Sequence, residues 1–155
     1  MSETISGRVA ELGHALPVPS VPAANYVPWV RSGNLVYVSG QVPLLEGRAV
    51  HVGKLGDDVD LETGQRAAQL CALNILAHLS SAVNDDLSRV LRCVRLGGFV
   101  NAVPDFTMQP QVVNGASDLI VQVLGEKGKH TRAAVGVASL PRNAAVEVDA
   151  IFEVG

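Results

Sequence analysis

An arginine and a glutamate stand close together near the end of the chain, on two predicted strands. Arg132 begins a run that is otherwise small and apolar, and by strand alternation it shares a face with Ala134 and Gly136. These small neighbours leave room beside the guanidinium, which could then hold a carboxylate through two parallel hydrogen bonds. Glu147 follows on the next strand and comes within reach if the two strands form a tight hairpin. Taken alone, these residues favour a solvated cross-strand ion pair over a carboxylate-binding site.

Three other positions carry side chains or turns that could contribute to a site. Ser39 and Gly40 end a hydrophobic strand, where a turn can expose a hydroxyl, although an ordinary turn explains the pair more simply. Tyr26 follows a proline-rich stretch and suits either the core or the edge of a pocket. Asn114 stands between a valine and a glycine on a predicted helix, which favours a surface or helix-entry position over a catalytic one.

Common motifs for phosphate, dinucleotide or zinc chemistry and for a nucleophilic serine are absent from the sequence. The four histidines lack metal-ligand spacing; His78 is expected to lie along a buried helix, and His130 is the most interesting because it stands at the mouth of the predicted hairpin. Cys71 and Cys93 are far apart and lack CxxC spacing, so we expect buried free thiols.

Composition bounds the class of protein and its partners. The 155 residues suit one domain spanning the whole chain, and charged residues, at 17%, are scarcer than the ~25% of typical soluble domains. This shortage favours a surface partly covered by another subunit. A net charge of −3, no basic tract and 4% aromatic residues argue against nucleic acid. Without a signal-peptide core or an apolar run near 20 residues, the expected location is the cytoplasm, away from any membrane.

Hydrophobic patterning predicts an α+β fold in which a mixed sheet carries two main helices on one face. The other face then needs cover, and a partner subunit is the economical source. Gly97 and Gly98 suggest a bulge in the strand that contains them. The predicted elements are a short helix (Ser2–Gly13), a proline-rich connector (16–25), a strand (Leu35–Ser39), a loop with a weak hairpin (Val42–Leu55), a long helix (Leu61–Val83), a strand (Leu87–Val103), a second helix (Gln111–Leu124) and a hairpin (Thr131–Ser139 with Ala144–Val154).

Three segments together resemble the YjgF/RidA (Rid, endoribonuclease L-PSP) family. The first runs from Tyr26 to the sequence GNLVYVSGQ that ends at Gln41, and the second is the helix entry Val113-Asn114. The third, TRAAVGVASLPRNAAVEVDA from Thr131, resembles the family signature of an Arg-x-x-Val strand, a Leu-Pro turn and a Val-Glu-Val strand. The likeness extends from Tyr26 to the C-terminus, and the added N-terminal helix suggests a longer subgroup.

The resemblance implies a chorismate-mutase-like fold and a homotrimer with ligand clefts between neighbouring subunits. It implies an enamine/imine deaminase activity that hydrolyses reactive 2-imino and 2-enamino acids to 2-keto acids and ammonia, without a metal or an organic cofactor. By position, Arg132 matches the arginine that grips the substrate carboxylate, and Glu147 matches the glutamate that orients the attacking water. Tyr26, Ser39, Gly40 and Asn114 match substrate-binding positions around the cleft.

Two departures from the family pattern keep alternative functions open. The family cysteine two positions after the arginine is Ala134 here, and the Gly-Pro before the family tyrosine is Ala24-Asn25. A drifted cleft favours a non-enzymatic trimer that binds small carboxylates or keto acids. The second family name raises ribonuclease activity, which the acidic balance and scarce aromatic residues argue against.

Overall fold

Long helices and a mixed sheet make up most of the chain that the structure describes. The structure is a computed structural model and describes residues 2–19 and 24–155. The helices in these ranges are α1 (Ile5–Glu11), α2 (Leu61–Val83) and α3 (Gln109–Leu124). The strands are β1 (Trp29–Ser32), β2 (Leu35–Gln41), β3 (Leu44–Leu45), β4 (Arg48–Ala49), β5 (Val90–Asn101), β6 (Thr131–Val137) and β7 (Val146–Val154), with short 3₁₀ turns at Leu87–Arg89, Gly125–Gly128 and Pro141–Asn143.

Helix α2 has the predicted bounds, and its sequence explains both ends. The Asp60 carboxylate accepts a hydrogen bond from the Thr63 backbone N–H at 2.8 Å, which caps the first turn. Asn84 ends the helix in a left-handed conformation with φ 54°. Every residue from 71 to 79 is buried, His78 included, so the helix is covered on nearly all sides, as its wide apolar surface predicted.

Helix α3 begins at Gln109, two residues before the predicted start, because Pro110 is accommodated in the first turn. Its buried residues include Val112, Ala116 and Leu119, which follow the predicted helical spacing. The two long helices pack closely against each other, and α3 also contacts β5 and β6. This packing places the first half of α3 beside the start of β6.

The sheet has the strand order β1-β2-β7-β5-β6, in which β5 and β6 are parallel and the other neighbours antiparallel. The predicted C-terminal hairpin is therefore wrong: β6 and β7 do not pair, because β5 lies between them. Alternation predicted both strands correctly, but it contains no information about which strands become neighbours. Both edges of β7 are already hydrogen-bonded, one to β2 and the other to β5.

The glycine pair in β5 has a different role from the predicted bulge. Gly97 and Gly98 pair regularly with both neighbouring strands, and the register shifts of β5 against β7 lie nearer its start, between 90 and 92 and between 93 and 95. A Cβ at Gly98 would lie 2.6 Å from a methyl carbon of Val113. The missing side chain therefore lets α3 approach the sheet closely.

One cluster of buried residues joins both long helices, the sheet and the short N-terminal helix, whose Ile5 and Val9 are fully buried. In β7, residues alternate between buried and half-buried, which confirms that one face of the sheet packs on the helices. We call the opposite side, where Glu147 lies, the outer face. Cys71 and Cys93 are buried free thiols, as predicted.

The N-terminal region and the loop after β2 follow the predicted outline. Residues 14–19 form neither helix nor strand, as expected for the connector, and residues 20–23 of the connector lie outside the described residues. The weak hairpin is present as β3 and β4. Among residues 2–19 and 24–155, no helix has the length and apolar character needed to span a membrane.

Candidate functional site

Arg132 is held by α3 rather than by an acidic partner. Its Nη1 donates to Asn114 Oδ1 at 2.7 Å and to Ser117 Oγ at 3.1 Å, and its Nη2 donates to the Pro110 carbonyl at 3.4 Å. Across the described ranges, none of the ion pairs includes Arg132. A guanidinium has five N–H donors, so Nε and one N–H of Nη2 remain available, and two donors suit a carboxylate.

The register explains how these groups meet. Arg132 pairs with Leu96 of β5, a buried core residue, so its side chain is on the helix-covered face. Asn114 and Ser117 are three residues apart on α3 and therefore lie on the same side of that helix. Asn114 is exposed, as the residues alone suggested, and it contacts Arg132, while its role in substrate binding stays a prediction. Ser117 was not predicted, although its spacing from Asn114 could have indicated it.

His130 lies next to this arginine and is bonded through both ring nitrogens. Its Nδ1 is 2.6 Å from the Gly128 carbonyl oxygen, and its Nε2 is 2.9 Å from Ser117 Oγ. The sequence singled out His130 for its position at a hairpin, and that reason fails with the hairpin. Its ring instead meets Arg132 at Ser117 of α3, whose hydroxyl bonds to both side chains.

Glu147 lies on the outer face, close to the end of β2. A Cβ at Gly40 would collide with the Glu147 carboxylate, so the glycine leaves the space that this side chain occupies. Burial raises the pKa of the Glu147 carboxyl, and the negative charge of Asp149 raises it further. Burial also raises the pKa of Asp149, while Arg95, at 3.4 Å, acts in the opposite direction.

Ser39 and Tyr26 lie on the segment that leads to Gly40. The Ser39 hydroxyl donates to the Val27 carbonyl at 2.7 Å, and its backbone N–H donates to the Pro28 carbonyl at 2.9 Å. Ser39 therefore holds residues 27–28, which precede β1, against β2, near a register shift between Val38 and Gln41. Tyr26 is 54% exposed, so it is not a core residue.

The predicted site residues thus form two separate groups within one chain. Arg132 and Asn114 are on the side of the sheet covered by helices, whereas Glu147 and Gly40 meet at the outer face. Strand β5 separates β6 from β7, and two strand spacings alone amount to about 10 Å. The cross-strand ion pair between Arg132 and Glu147 is therefore wrong.

The described residues contain no group of three or more His, Cys, Asp or Glu side chains placed to hold a metal ion. The chemistry that the two groups offer is hydrogen bonding and proton transfer. The Arg132 group can fix an anion, and the Glu147 group provides a half-buried carboxylate with a raised pKa.

Comparison with known proteins gives the family. The sequence matches the family described as "YjgF/chorismate mutase-like, putative endoribonuclease" over residues 6–154. Protein TCP17 of Trypanosoma cruzi is 49% identical over 158 residues, which cover 99% of this chain and 98% of that protein.

Solved structures agree with this match. The crystal structure of Atu1372 from Agrobacterium tumefaciens, a protein of unknown function, is 56% identical with a TM-score of 0.91 and covers 97% of this chain and 92% of its own. E. coli TdcF with bound serine shares the fold at 21% identity, with a TM-score of 0.65 over 89% of this chain and 94% of its own. By its sequence and by its α+β architecture, the chain belongs to the YjgF/chorismate-mutase-like family.

Proposed function

We propose that this protein hydrolyses 2-imino and 2-enamino acids to 2-keto acids and ammonia. The observation that carries the proposal is the state of Arg132, which three acceptors hold in place while two donors and its positive charge remain uncompensated by any carboxylate of the described chain. In these substrates the carboxylate is bonded directly to the reacting carbon. Binding the carboxylate through two hydrogen bonds therefore also fixes the C=N group.

The active form we propose is a homotrimer with a cleft between each pair of neighbouring subunits. Within one chain, Arg132 and Glu147 point away from opposite sides of the sheet, so an intact site needs the Arg132 group of one subunit and the Glu147 group of another. Exposed apolar side chains support an interface at the outer face: Val30, Tyr37 and Val135 are 48%, 41% and 46% exposed. Because β6 is an edge strand, Arg132 lies near the rim of the sheet, where a neighbour can reach it.

The chemistry requires orientation more than a strong nucleophile. Water adds to the imine carbon, the nitrogen takes a proton, and the resulting carbinolamine releases ammonia and leaves the 2-keto acid. Arg132 would fix the substrate, and Glu147 would hold the attacking water. A raised pKa makes a carboxylate a stronger base once it is ionised, which suits a group that accepts a hydrogen bond from water. Neither step needs a metal or an organic cofactor.

Ammonia release from an imino acid generated in situ tests the proposal. We expect the purified protein to accelerate the release, Arg132→Ala to abolish the acceleration, and Glu147→Gln to reduce it by about 100-fold or more. Arg66→Ala is the matched control, since the ion pair of Arg66 with Glu62 lies on the exposed surface of α2. Several amino acids should be used as imine sources, because the side-chain preference of the cleft is open.

Two results would contradict the deaminase. One is a rate no faster than spontaneous hydrolysis with every imine. The other is RNA cleavage by the wild type that disappears in Arg132→Ala, which would support the ribonuclease implied by the family description.

A binding trimer without catalysis is the second candidate. The observation that favours it is Ala134, which places a methyl group beside Arg132 on the same strand face where the resemblance leads one to expect a thiol. This candidate predicts that small carboxylates raise the melting temperature of the wild type but not of Arg132→Ala, with no turnover. Serine belongs among the acids tested, because the TdcF structure contains it.

A further inference from the structure

We infer that Ser117 and His130 form a proton relay beside Arg132, through which the proton of the attacking water moves to the leaving amine. The inference deepens the proposed imine hydrolysis and rests on it. It assigns Ser117 as the group that touches the reacting atoms and His130 as a residue that acts through Ser117.

The hydrogen-bond partners fix the direction of each bond. The Gly128 carbonyl can only accept, so the Nδ1 of the neutral imidazole, 2.6 Å away, must carry the proton. Nε2 is then a lone-pair acceptor, and the Ser117 hydroxyl donates to it across 2.9 Å. Arg132 can only donate, so Ser117 Oγ accepts from it. A hydroxyl whose proton points at an imidazole that a third group orients has the geometry of an activated side chain.

Ser117 Oγ also has unused capacity. A hydroxyl offers one donor and two acceptor positions. The donor is used by His130 and one acceptor position by Arg132, so one acceptor position remains for a water or an amine nitrogen. The same guanidinium has two donors left for the substrate carboxylate. Since the reacting carbon is bonded to that carboxylate, a substrate held by Arg132 would bring its C=N group to the side of α3 where Ser117 lies.

The relay moves one proton, and the balance closes when the protonated imine, C=NH2⁺, is the reacting form. As the water oxygen bonds to the imine carbon, the C=N π electrons move to nitrogen, and the water gives a proton to Ser117 Oγ while Ser117 gives its own to His130 Nε2. The imidazolium then returns a proton through Ser117 to the amine nitrogen, which becomes an ammonium group. The C–N bond breaks with its electron pair on nitrogen, ammonia leaves, and the hydroxyl of the carbinolamine becomes the keto oxygen by losing its proton to solvent.

Support of Arg132 alone does not require this arrangement. Asn114 and the Pro110 carbonyl already hold the guanidinium from two sides, and Ser117 needs only a lone pair to do the same. The bond from Ser117 to His130 and the anchoring of His130 by Gly128 add nothing to that support. They do set the tautomer that a relay needs.

The test compares Ser117→Ala and His130→Gln with the wild type in the imine assay. We expect kcat to fall by roughly 100-fold in both, the lower end of what acid–base catalysis contributes, with KM nearly unchanged because Arg132 still binds the carboxylate.

Matched controls are Ser81→Ala and His14→Gln. Ser81 is a helix serine whose hydroxyl donates to the Ala77 carbonyl, and His14 follows α1 and is not bonded to Ser117 or Arg132. If the wild type is active and both relay variants keep its kcat, the relay is wrong and the proposed function stands. If the wild type fails to accelerate hydrolysis, both are wrong. A loss that appears only in KM would assign Ser117 to holding Arg132 and would also overturn the relay.

Discussion

At the scale of single residues, the contact between Gly40 and Glu147 joins the end of β2 to an acidic side chain of β7. Gly40 has no Cβ, and the Glu147 carboxylate occupies the place where a Cβ would be. The carboxylate is the far end of a flexible side chain, so it can move aside at little cost in folding energy. The position of the carboxylate, rather than the stability of the fold, is therefore what this glycine determines.

Gly40→Ala should move the Glu147 carboxylate while leaving the stability of the fold nearly unchanged. We expect the free energy of unfolding to stay within about 1 kcal/mol of the wild type, since the backbone there is not left-handed and alanine restricts the unfolded chain. Imine hydrolysis should fall at least tenfold, because the water that Glu147 holds moves with the carboxylate. In a Glu147→Gln background, Gly40→Ala should have no further effect on the rate. A full additional loss there would show that Gly40 acts independently of Glu147.

Residue types predicted the surroundings of Arg132 better than its partner. Alternation placed Arg132 on one face with Ala134, whose small side chain leaves room beside the guanidinium, but these residues alone favoured an ion pair with Glu147. That pairing failed because it depended on the order of the strands. The acceptors that do hold Arg132 come from α3, and helix-to-strand contacts depend on tertiary packing that no local pattern contains.

At the scale of elements, helix and strand bounds followed the sequence far better than their arrangement. The start of α2 was predictable because Asp60 is a capping residue. Its end was predictable because three polar residues, Asn84, Asp85 and Asp86, follow Val83. The weak hairpin of β3 and β4 was predictable from its glycine. The neighbours of β5 were not predictable. It pairs in parallel with β6 and antiparallel with β7, and hydrophobic alternation is the same for both kinds of pairing.

The contact between α2 and α3 provides a test at this scale. A Cβ at Gly115 on α3 would collide with the Gln65 backbone carbonyl on α2, and backbone cannot move aside as a side chain can. We expect Gly115→Ala to lower the free energy of unfolding by about 1–3 kcal/mol, although alanine favours helix by roughly 1 kcal/mol. Urea unfolding measures this change through the midpoint and slope.

Gly64→Ala is the control for the helix pair. The nearest atoms to its new Cβ would be side-chain carbons of Leu55 and Val112, at 2.9 Å and 3.3 Å, which can shift. Its loss of stability should be clearly smaller than that of Gly115→Ala. Equal losses would show that the close backbone approach does not determine the packing of the two helices.

At the scale of the whole molecule, the scarcity of charge and the division of the site have a common explanation in the proposed trimer. Helices cover one face of the sheet, while the outer face keeps exposed apolar side chains such as Tyr37 and Val135 beside its acidic residues. A neighbour that covers this face would reduce the exposed apolar area and bring a second Arg132 group towards Glu147. The division of the site within one chain is thus what a shared cleft requires.

Mixing two inactive variants tests this arrangement. Arg132→Ala chains keep Glu147, and Glu147→Gln chains keep Arg132, so a cleft between one chain of each kind can contain both groups. After co-refolding in equal amounts, random assortment should leave both groups intact in roughly a quarter of the clefts, with activity restored in proportion. Co-refolding either variant with the double variant should restore nothing, since one group is then missing from every cleft. Activity that stays at the average of the two separate variants would contradict a shared site and place catalysis within a single chain.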